Sequence, residues 1–357
     1  MLFFERFIKE LLDEGHTVDI ATNDTERKPP ACYQEFGCRV FTLSCSRSPL
    51  DQGNWKAVGQ IRRLVEQEQY DIVHCHTPIA AACTRLACKK LRKTQNLKVF
   101  YTAHGFHFYK GAPKRNWMIY YPIEKICAHF TDKLITINRE DYDLAKRKLR
   151  AGEIHYVPGM GIDLSKFENV QVDRVAKRSE IGVPENAFLL FSVGELNENK
   201  NHQVIIKALA KLNDPNVHYA IAGIGNKRED LLRLAAELGV SDQVHLLGYR
   251  KDIPELNHAA DLFCFPSRRE GLGLSSIEAM ACGLPLITSN VHGINDYSEN
   301  GVTGYKCGPD DVDGFAKSIL LIKGDRILYQ KIEKHNRVLA QRYRVDRIIA
   351  ELRRIYG

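Results

Sequence analysis

Short apolar runs alternate with helix-length amphipathic stretches along this chain, and the series occurs twice. The runs TVDIAT (17–22), CRVFTL (38–43), YDIVHCH (70–76), KVFYTAH (98–104) and KLITIN (133–138) read as buried strands. Helix-length stretches such as NWKAVGQIRRLVEQEQ (54–69) lie between several of them. The series restarts at AFLLFSVG (187–194) and continues through VHYAIAG (217–223), QVHLLG (243–248), DLFCFPS (261–267) and LPLITS (284–289). A strand buried on both faces needs a crossover helix to reach a parallel neighbour, so the pattern demands parallel sheets with helices on both sides. Two series imply an α/β chain of two doubly wound domains. The 357 residues suit that division, because one core rarely serves more than about 250–300. The segment HYVPGMGIDLSKFENVQVD (155–173), broken by proline and glycines, reads as the linker.

Composition narrows the classes. A hydrophobic content of 44% with 27% charged residues is that of a globular protein. No apolar run approaches the ~18 residues that span a bilayer. The opening MLFFERFIKELL carries Glu5, Arg6, Lys9 and Glu10 among its apolar residues and does not read as a signal peptide. Ten cysteines without a Cys-x-x-Cys pair read as reduced cytosolic thiols rather than zinc ligands. The net charge of +7 is concentrated, with 25 Lys/Arg against 19 Asp/Glu in residues 1–165 and 26 against 25 in the rest. The basic segments 88–98, 109–117 and 146–150 are either solvated helix faces or a surface that attracts an anionic partner, such as a membrane. No nucleic-acid-binding module accompanies the charge, so nucleic acid is not an expected partner.

In open α/β sheets, ligands bind beyond the carboxyl ends of the strands, and the chain's polar and glycine residues gather there. The stretch SRREGLGLSSIEAMACGLPLITS (267–289) sets Glu270 and Glu278 among glycines and small apolar residues, with no cationic residue between them. Burying an unpaired carboxylate costs several kcal/mol, so such acids need something to hold. Helix capping is the bland account. Binding vicinal sugar diols is the functional one, with the glycines exposing backbone N–H groups at the helix start. Lys200, after the strand–glycine turn FSVGELNENK (191–200), is either solvated or a counter-charge for a diphosphate. Gly223 and Gly225 form a strand–Gly-x-Gly–helix unit that lacks the third glycine of a dinucleotide fingerprint. His104 ends a strand in YTAHGFHFYKG (101–111), while His74 and His76, two apart, share a strand face without completing a metal set. They read as polar support behind the reacting groups. The Asp-x-Asp pairs Asp141/Asp143 and Asp311/Asp313 read as surface acids, so no metal site is expected.

Together these residues resemble a family. EGLGLSSIEAMACGLPLI is similar to the E-x7-E signature of the retaining glycosyltransferases of family four, and YTAHGF, VPGMGIDLSKF, GELNENKN, AGIGNKREDL, LLGYRKDIPEL and GVTGYKCGPDD follow in the family's order. HCHTPIAAACTRLA and TAHGFHFYKGAPKRNW resemble its capsular and exopolysaccharide branch. The resemblance implies the GT-B fold, two Rossmann-like domains facing a cleft. It places an acceptor-binding domain in residues 1–165, a nucleotide-sugar-binding domain in 166–342 and a helix in 343–357 that returns to the first domain. Carried over by position, Glu278 binds the ribose, Glu270 and the backbone of Gly271, Leu272, Gly273 and Leu274 meet the transferred sugar, and Lys200 faces the diphosphate. Gly223 and Gly225 approach the nucleotide, Arg250 sits at its base, and His104 touches the sugar from the first domain. The implied reaction retains anomeric configuration, uses no metal ion or cofactor, and moves a sugar from a nucleoside diphosphate (UDP) to a polyprenyl-diphosphate-linked glycan. Its expected setting is the inner face of the cell membrane.

Two departures are specific to this chain. Glu195 stands where many relatives carry arginine. The chain also opens in a helix where the fold places a central strand, so the strands beside that position should be left without a partner, and 15–25 upstream residues are expected. The alternatives are a truncated, catalytically weak sugar-nucleotide-binding protein, and a sugar-nucleotide epimerase of the same fold, which the E-x7-E stretch disfavours.

Overall fold

A computed structural model describes residues 4–23, 31–46, 48–49 and 51–357. It forms two compact units, Met1–Gly161 with Asp346–Gly357, and Ile162–Val345. The expected limits at 165 and 342 shift because Ile162 pairs with the chain returning at 343–345. Its N–H donates to Tyr343 O at 2.9 Å, and its carbonyl accepts from Val345 N at 3.0 Å. The helix Val345–Tyr356 then runs almost wholly in the first unit, where Tyr356 packs edge-on against Phe7 and Phe100.

The second unit holds six parallel strands: β7 (Phe188–Val193), β8 (Val217–Ala222), β9 (Val244–Gly248), β10 (Leu262–Phe265), β11 (Leu286–Ser289) and β12 (Gly304–Cys307). Their spatial order is β12-β11-β10-β7-β8-β9. From β7 the chain winds outward to β9, then returns to β10 and winds the other way, which is the doubly wound dinucleotide-binding order. Every residue of β8 and β10 is buried, as helices on both faces require. The helix Gln203–Leu212 presses Val204, Ile205, Ile206, Ala208 and Leu209 into the core with Tyr219, Ile221 and Phe315. The topological switch lies between β7 and β10, whose carboxyl ends diverge there.

The first unit holds β1 (Ile20–Thr22), β2 (Val40–Thr42), β3 (Ile72–His76), β4 (Lys98–Ala103), β5 (Lys133–Thr136) and β6 (Glu153–Tyr156), all in parallel pairings. They form two sheets rather than one, β1-β2 and β3-β4-β5-β6. Among the described residues β3 hydrogen-bonds only β4, so its other edge lacks a strand partner. On the sheet face that His76 presents, Phe4 lies 4.3 Å away between ring centroids. Two edge strands, β6 and β12, are absent from the sequence expectation. Residues 155–156 were assigned to the linker and instead pair with β5.

One of the four expected surface acids is buried. Asp141 accepts from Phe106 N at 2.9 Å and from Asn138 Nδ2 at 2.9 Å, pinning the loop after β4 to the start of the helix Arg139–Lys148. Asp143 and Asp313 are exposed, and Asp311 caps the helix Val312–Gly324 through Gly314 N.

Candidate functional site

The divergence of β7 and β10 brings together two segments far apart in sequence. After β7 the chain turns through Gly194 and runs to Lys200; after β10 it passes Pro266 to Glu270 and enters the helix Leu274–Ala281. The loops are stitched to each other. Arg268 N donates to Asn199 O at 2.7 Å, and Asn199 Nδ2 donates to Arg269 O at 3.0 Å. Asn201 Nδ2 reaches Pro266 O and Pro309 O at 3.2 and 2.7 Å. Asn201 adopts φ +54°, a left-handed conformation that asparagine tolerates better than most residues. The repeated Asn in ELNENKN was the only sequence signal for these braces.

The stitching sets Lys200 Nζ 2.5 Å from Glu270 Oε1, with both side chains mostly buried. Lys200 also lies over the Phe265 ring, 4.9 Å from its centroid. Lys200, from the other side of the switch point, is therefore a cationic partner of Glu270. Glu278 differs: no hydrogen bond or ion pair reaches its side chain among the described residues. Burial pushes its carboxyl up to about 7. A half-buried carboxyl without a partner, one turn into a helix, is held ready for a ligand's donors or carries a proton of its own.

Between the two acids, Gly273 takes φ +85°, and a Cβ there would come within 2.5 Å of the Phe265 ring. The sharp turn leaves the helix Leu274–Ala281 with no side-chain cap, so its first N–H groups are available to an anion or a sugar hydroxyl. Leu272 is buried and anchors the turn. Tyr297, which the sequence reading missed, is buried beneath it, its hydroxyl 3.0 Å from where a Gly273 Cβ would lie.

The remaining residues are placed as follows. Gly223 and Gly225 pack against the loop after β7, where a Cβ would sit 1.8 Å from Gly194 O and 2.3 Å from Leu196 O. Close backbone approach alone demands glycine at both positions. Arg250 is committed to neighbours, donating to Asp252 at 2.7 and 2.5 Å and to Glu180 at 2.5 Å, with Lys177 completing the network. Ile224 and Tyr249, beyond the ends of β8 and β9, expose large apolar side chains. Glu195 is exposed. In the first unit, His104 follows β4 with its Nε2 3.2 Å from His76 Nδ1. Among the described residues no group of three or more His, Cys, Asp or Glu side chains is arranged to hold a metal ion.

Comparisons with known proteins agree with this architecture. Residues 3–166 match the family model described as Glycosyltransferase Family 4, and residues 173–338 match that for glycosyl transferases group 1. EpsD of Bacillus subtilis (strain 168), a provisionally assigned glycosyltransferase, is 35% identical over 98% of this chain and 91% of its own. The Escherichia coli UDP-Gal:alpha-D-GlcNAc-diphosphoundecaprenol alpha-1,3-galactosyltransferase is 29% identical over 85% of this chain and 79% of its own. Among solved structures, Anabaena HepE in complex with UDP and glucose superimposes with a TM-score of 0.81 at 20% identity, covering 99% of this chain and 95% of that one. The sucrose-phosphate synthase of Thermosynechococcus elongatus also gives 0.81, at 21% identity, covering 99% and 92%.

Proposed function

Because the chain belongs to the glycosyltransferases of family four, we propose that it moves a sugar from a UDP-sugar onto a polyprenyl-diphosphate-linked glycan, with retention and without a metal ion. The observation that carries this reading is the Lys200–Glu270 pair at the switch point, beside an uncapped helix start and the unpartnered Glu278. A donor diphosphate takes over the Lys200 ammonium and lies near the first N–H groups of the helix Leu274–Ala281. That exchange frees the Glu270 carboxylate to face the transferred sugar, together with the backbone of Gly271 to Leu274. Glu278 accepts from the ribose diol. The exposed Ile224 and Tyr249 give the planar base an apolar surface, and His104 supplies the first unit's contact to the sugar.

Positive charge develops at the anomeric carbon as the sugar–phosphate bond breaks. A carboxylate facing that carbon stabilises the transition state more than the ground state. The departing phosphate, held by Lys200, accepts the acceptor hydroxyl's proton on the face it leaves, which gives retention. The relative that is named for a diphosphoundecaprenol acceptor supports the lipid-linked acceptor. The setting we infer is exopolysaccharide or capsule synthesis on the inner face of the cell membrane, with the protein bound peripherally.

The test is radiolabelled sugar transfer from a panel of nucleotide sugars to polyprenyl-diphosphate-linked acceptors. Label in the lipid fraction from a UDP-sugar, with chelator present and α product from an α donor, is the expected result. Binding of nucleotide sugar without any transfer would identify a sugar-nucleotide-binding protein instead.

A further inference from the structure

His74 and His76 sit two apart on β3, so both face one side of the sheet. β4 runs parallel beside it with His76 opposite Thr102, and His104 follows just past the end of that strand. The register therefore carries the His104 ring up to the His76 ring, Nδ1 of His76 lying 3.2 Å from Nε2 of His104. His74 turns elsewhere, with Nε2 2.8 Å from Thr102 Oγ1 and Nδ1 2.6 Å from Tyr356 Oη, and its ring packs on His76 at 4.3 Å between centroids. Phe4 contacts His76 at the same separation. The His76 ring is thus wedged between neighbours. The turn just after it is unusual as well, since Thr77 holds φ +64° and ψ 143°, rare for a β-branched residue.

We propose that His76 is a positioning residue that fixes the tautomer and ring orientation of His104. The proposal rests on the reading above that His104 touches the transferred sugar. In a hydrogen bond between two neutral imidazoles, only one of the facing nitrogens carries the proton. Burial holds both rings neutral, His104 down to about 4 and His76 further below its ordinary range. With Nε2 of His104 occupied, Nδ1 is the atom left for a ligand. Whether that atom donates to or accepts from a sugar hydroxyl is decided by which proton His76 supplies or withholds. His74 and Phe4 pack on the His76 ring and hold its orientation, which keeps the hydrogen bond to His104 Nε2 in place.

The experiment uses the full chain labelled with 15N-histidine. The wild type should show His104 as a single tautomer. His76→Leu should convert it to the mixture of an unconstrained imidazole with little change in melting temperature. His76→Asn, whose amide occupies the place of Nδ1, should restore a single state. Transfer activity is read in parallel. Partners that orient ligating histidines are worth about 10–100-fold, and His76→Leu should lower kcat by that order, with His76→Asn recovering most of it. Adding His76→Leu to His104→Ala should cost nothing further, since His76 acts through His104. Unchanged His104 resonances in His76→Leu, or fully multiplicative losses in the double variant, would overturn the proposal. If His104→Ala transfers normally, the role of His104 in the reaction is wrong, while the spectra still judge the coupling between the rings.

Discussion

Lys200 and Glu270 are 70 residues apart in sequence, yet Nζ of one lies 2.5 Å from Oε1 of the other. The pair exists because β7 and β10 are neighbours at the point where the winding of the sheet reverses. Its two halves predict different kinetics. Under the proposed function, Glu270→Gln keeps the shape and removes the charge set against the anomeric carbon, so kcat should fall. Losing one electrostatic contact of this kind typically costs ~2.7–4 kcal/mol, about a hundred- to thousandfold. Under the same reading, Lys200→Met should raise KM because the donor diphosphate loses a ground-state contact, and should lower kcat because the departing phosphate gains charge in the transition state. Steady-state kinetics at matched folded fraction are the measurement. Normal turnover of donor by folded Glu270→Gln would remove this residue from the reaction.

Glu278 should make both stability and donor binding depend on pH. Its carboxyl is raised from 4.5 to about 7 in the folded chain, so the folded state holds a proton that the unfolded state has released. Stability is therefore greatest below about 4.5, as far as this group goes, and its share is lost as pH rises towards 7. A ribose diol donates to the ionised form, so bound nucleotide should lower this pKa and affinity should climb between pH 6 and 8. Titration calorimetry with UDP across that range reads the climb. Glu278→Gln should bind more weakly and flatten both dependences; a wild-type affinity that is level across the range would contradict the assignment.

What the sequence disclosed follows from how burial writes itself into residues. β8 and β10 are buried on both faces and appear as continuous apolar runs, so they were legible. β6 and β12 are four-residue edge strands with exposed or half-buried positions, and nothing in GYKC or EIHY separates them from loop. Glu270, Glu278 and Lys200 could be picked out because strand ends collect polar residues in this fold. Their pairing could not, since it depends on sheet order. The same limit hid Asp141: it accepts from the backbone N–H of Phe106, 35 residues away, and Asp-x-Asp in a helix looks like any solvated face. Arg250 is held by Asp252, two residues on, and by Glu180, 70 residues earlier, and only the second of these partners is hidden by distance in sequence.

The first unit carries a buried ion pair whose removal should be read in stability. Arg85 donates to Glu124 at 2.8 and 3.1 Å, Tyr101 Oη adds a third bond at 3.2 Å, and the guanidinium lies over the Tyr101 ring. Both charged side chains are almost wholly inaccessible. Breaking such a pair from one side leaves a buried charge and costs about 3–5 kcal/mol. Glu124→Gln should therefore lower the first unit's melting temperature sharply. Arg85→Met with Glu124→Leu should recover much of the loss, because the desolvation penalty disappears with both charges. A double variant no more stable than Glu124→Gln would show that the network supplies shape rather than compensated charge.

The helix Lys114–Ala128 makes a prediction about membranes. Trp117, Tyr120 and Tyr121 pack against the first unit's core. The opposite face is exposed and mixed, with Met118 76% and Ile126 58% accessible beside Ile119, and with Lys114, Arg115 and Lys125 among them. Basic residues between exposed apolar side chains are the pattern of a surface that lies in a headgroup layer. Each Lys or Arg near an anionic surface is worth about 1 kcal/mol, screened beyond roughly 8–10 Å at physiological salt. Binding to vesicles containing anionic lipid should thus be measurable at low salt and fall as salt rises. Met118→Glu with Ile126→Glu should remove apolar insertion and add repulsion, lowering vesicle binding without disturbing the inward face or transfer to a detergent-solubilised acceptor. Sedimentation with neutral and anionic vesicles at two salt concentrations separates the contributions. Equal binding to both lipids, unmoved by salt and by the double substitution, would exclude this face as the docking surface.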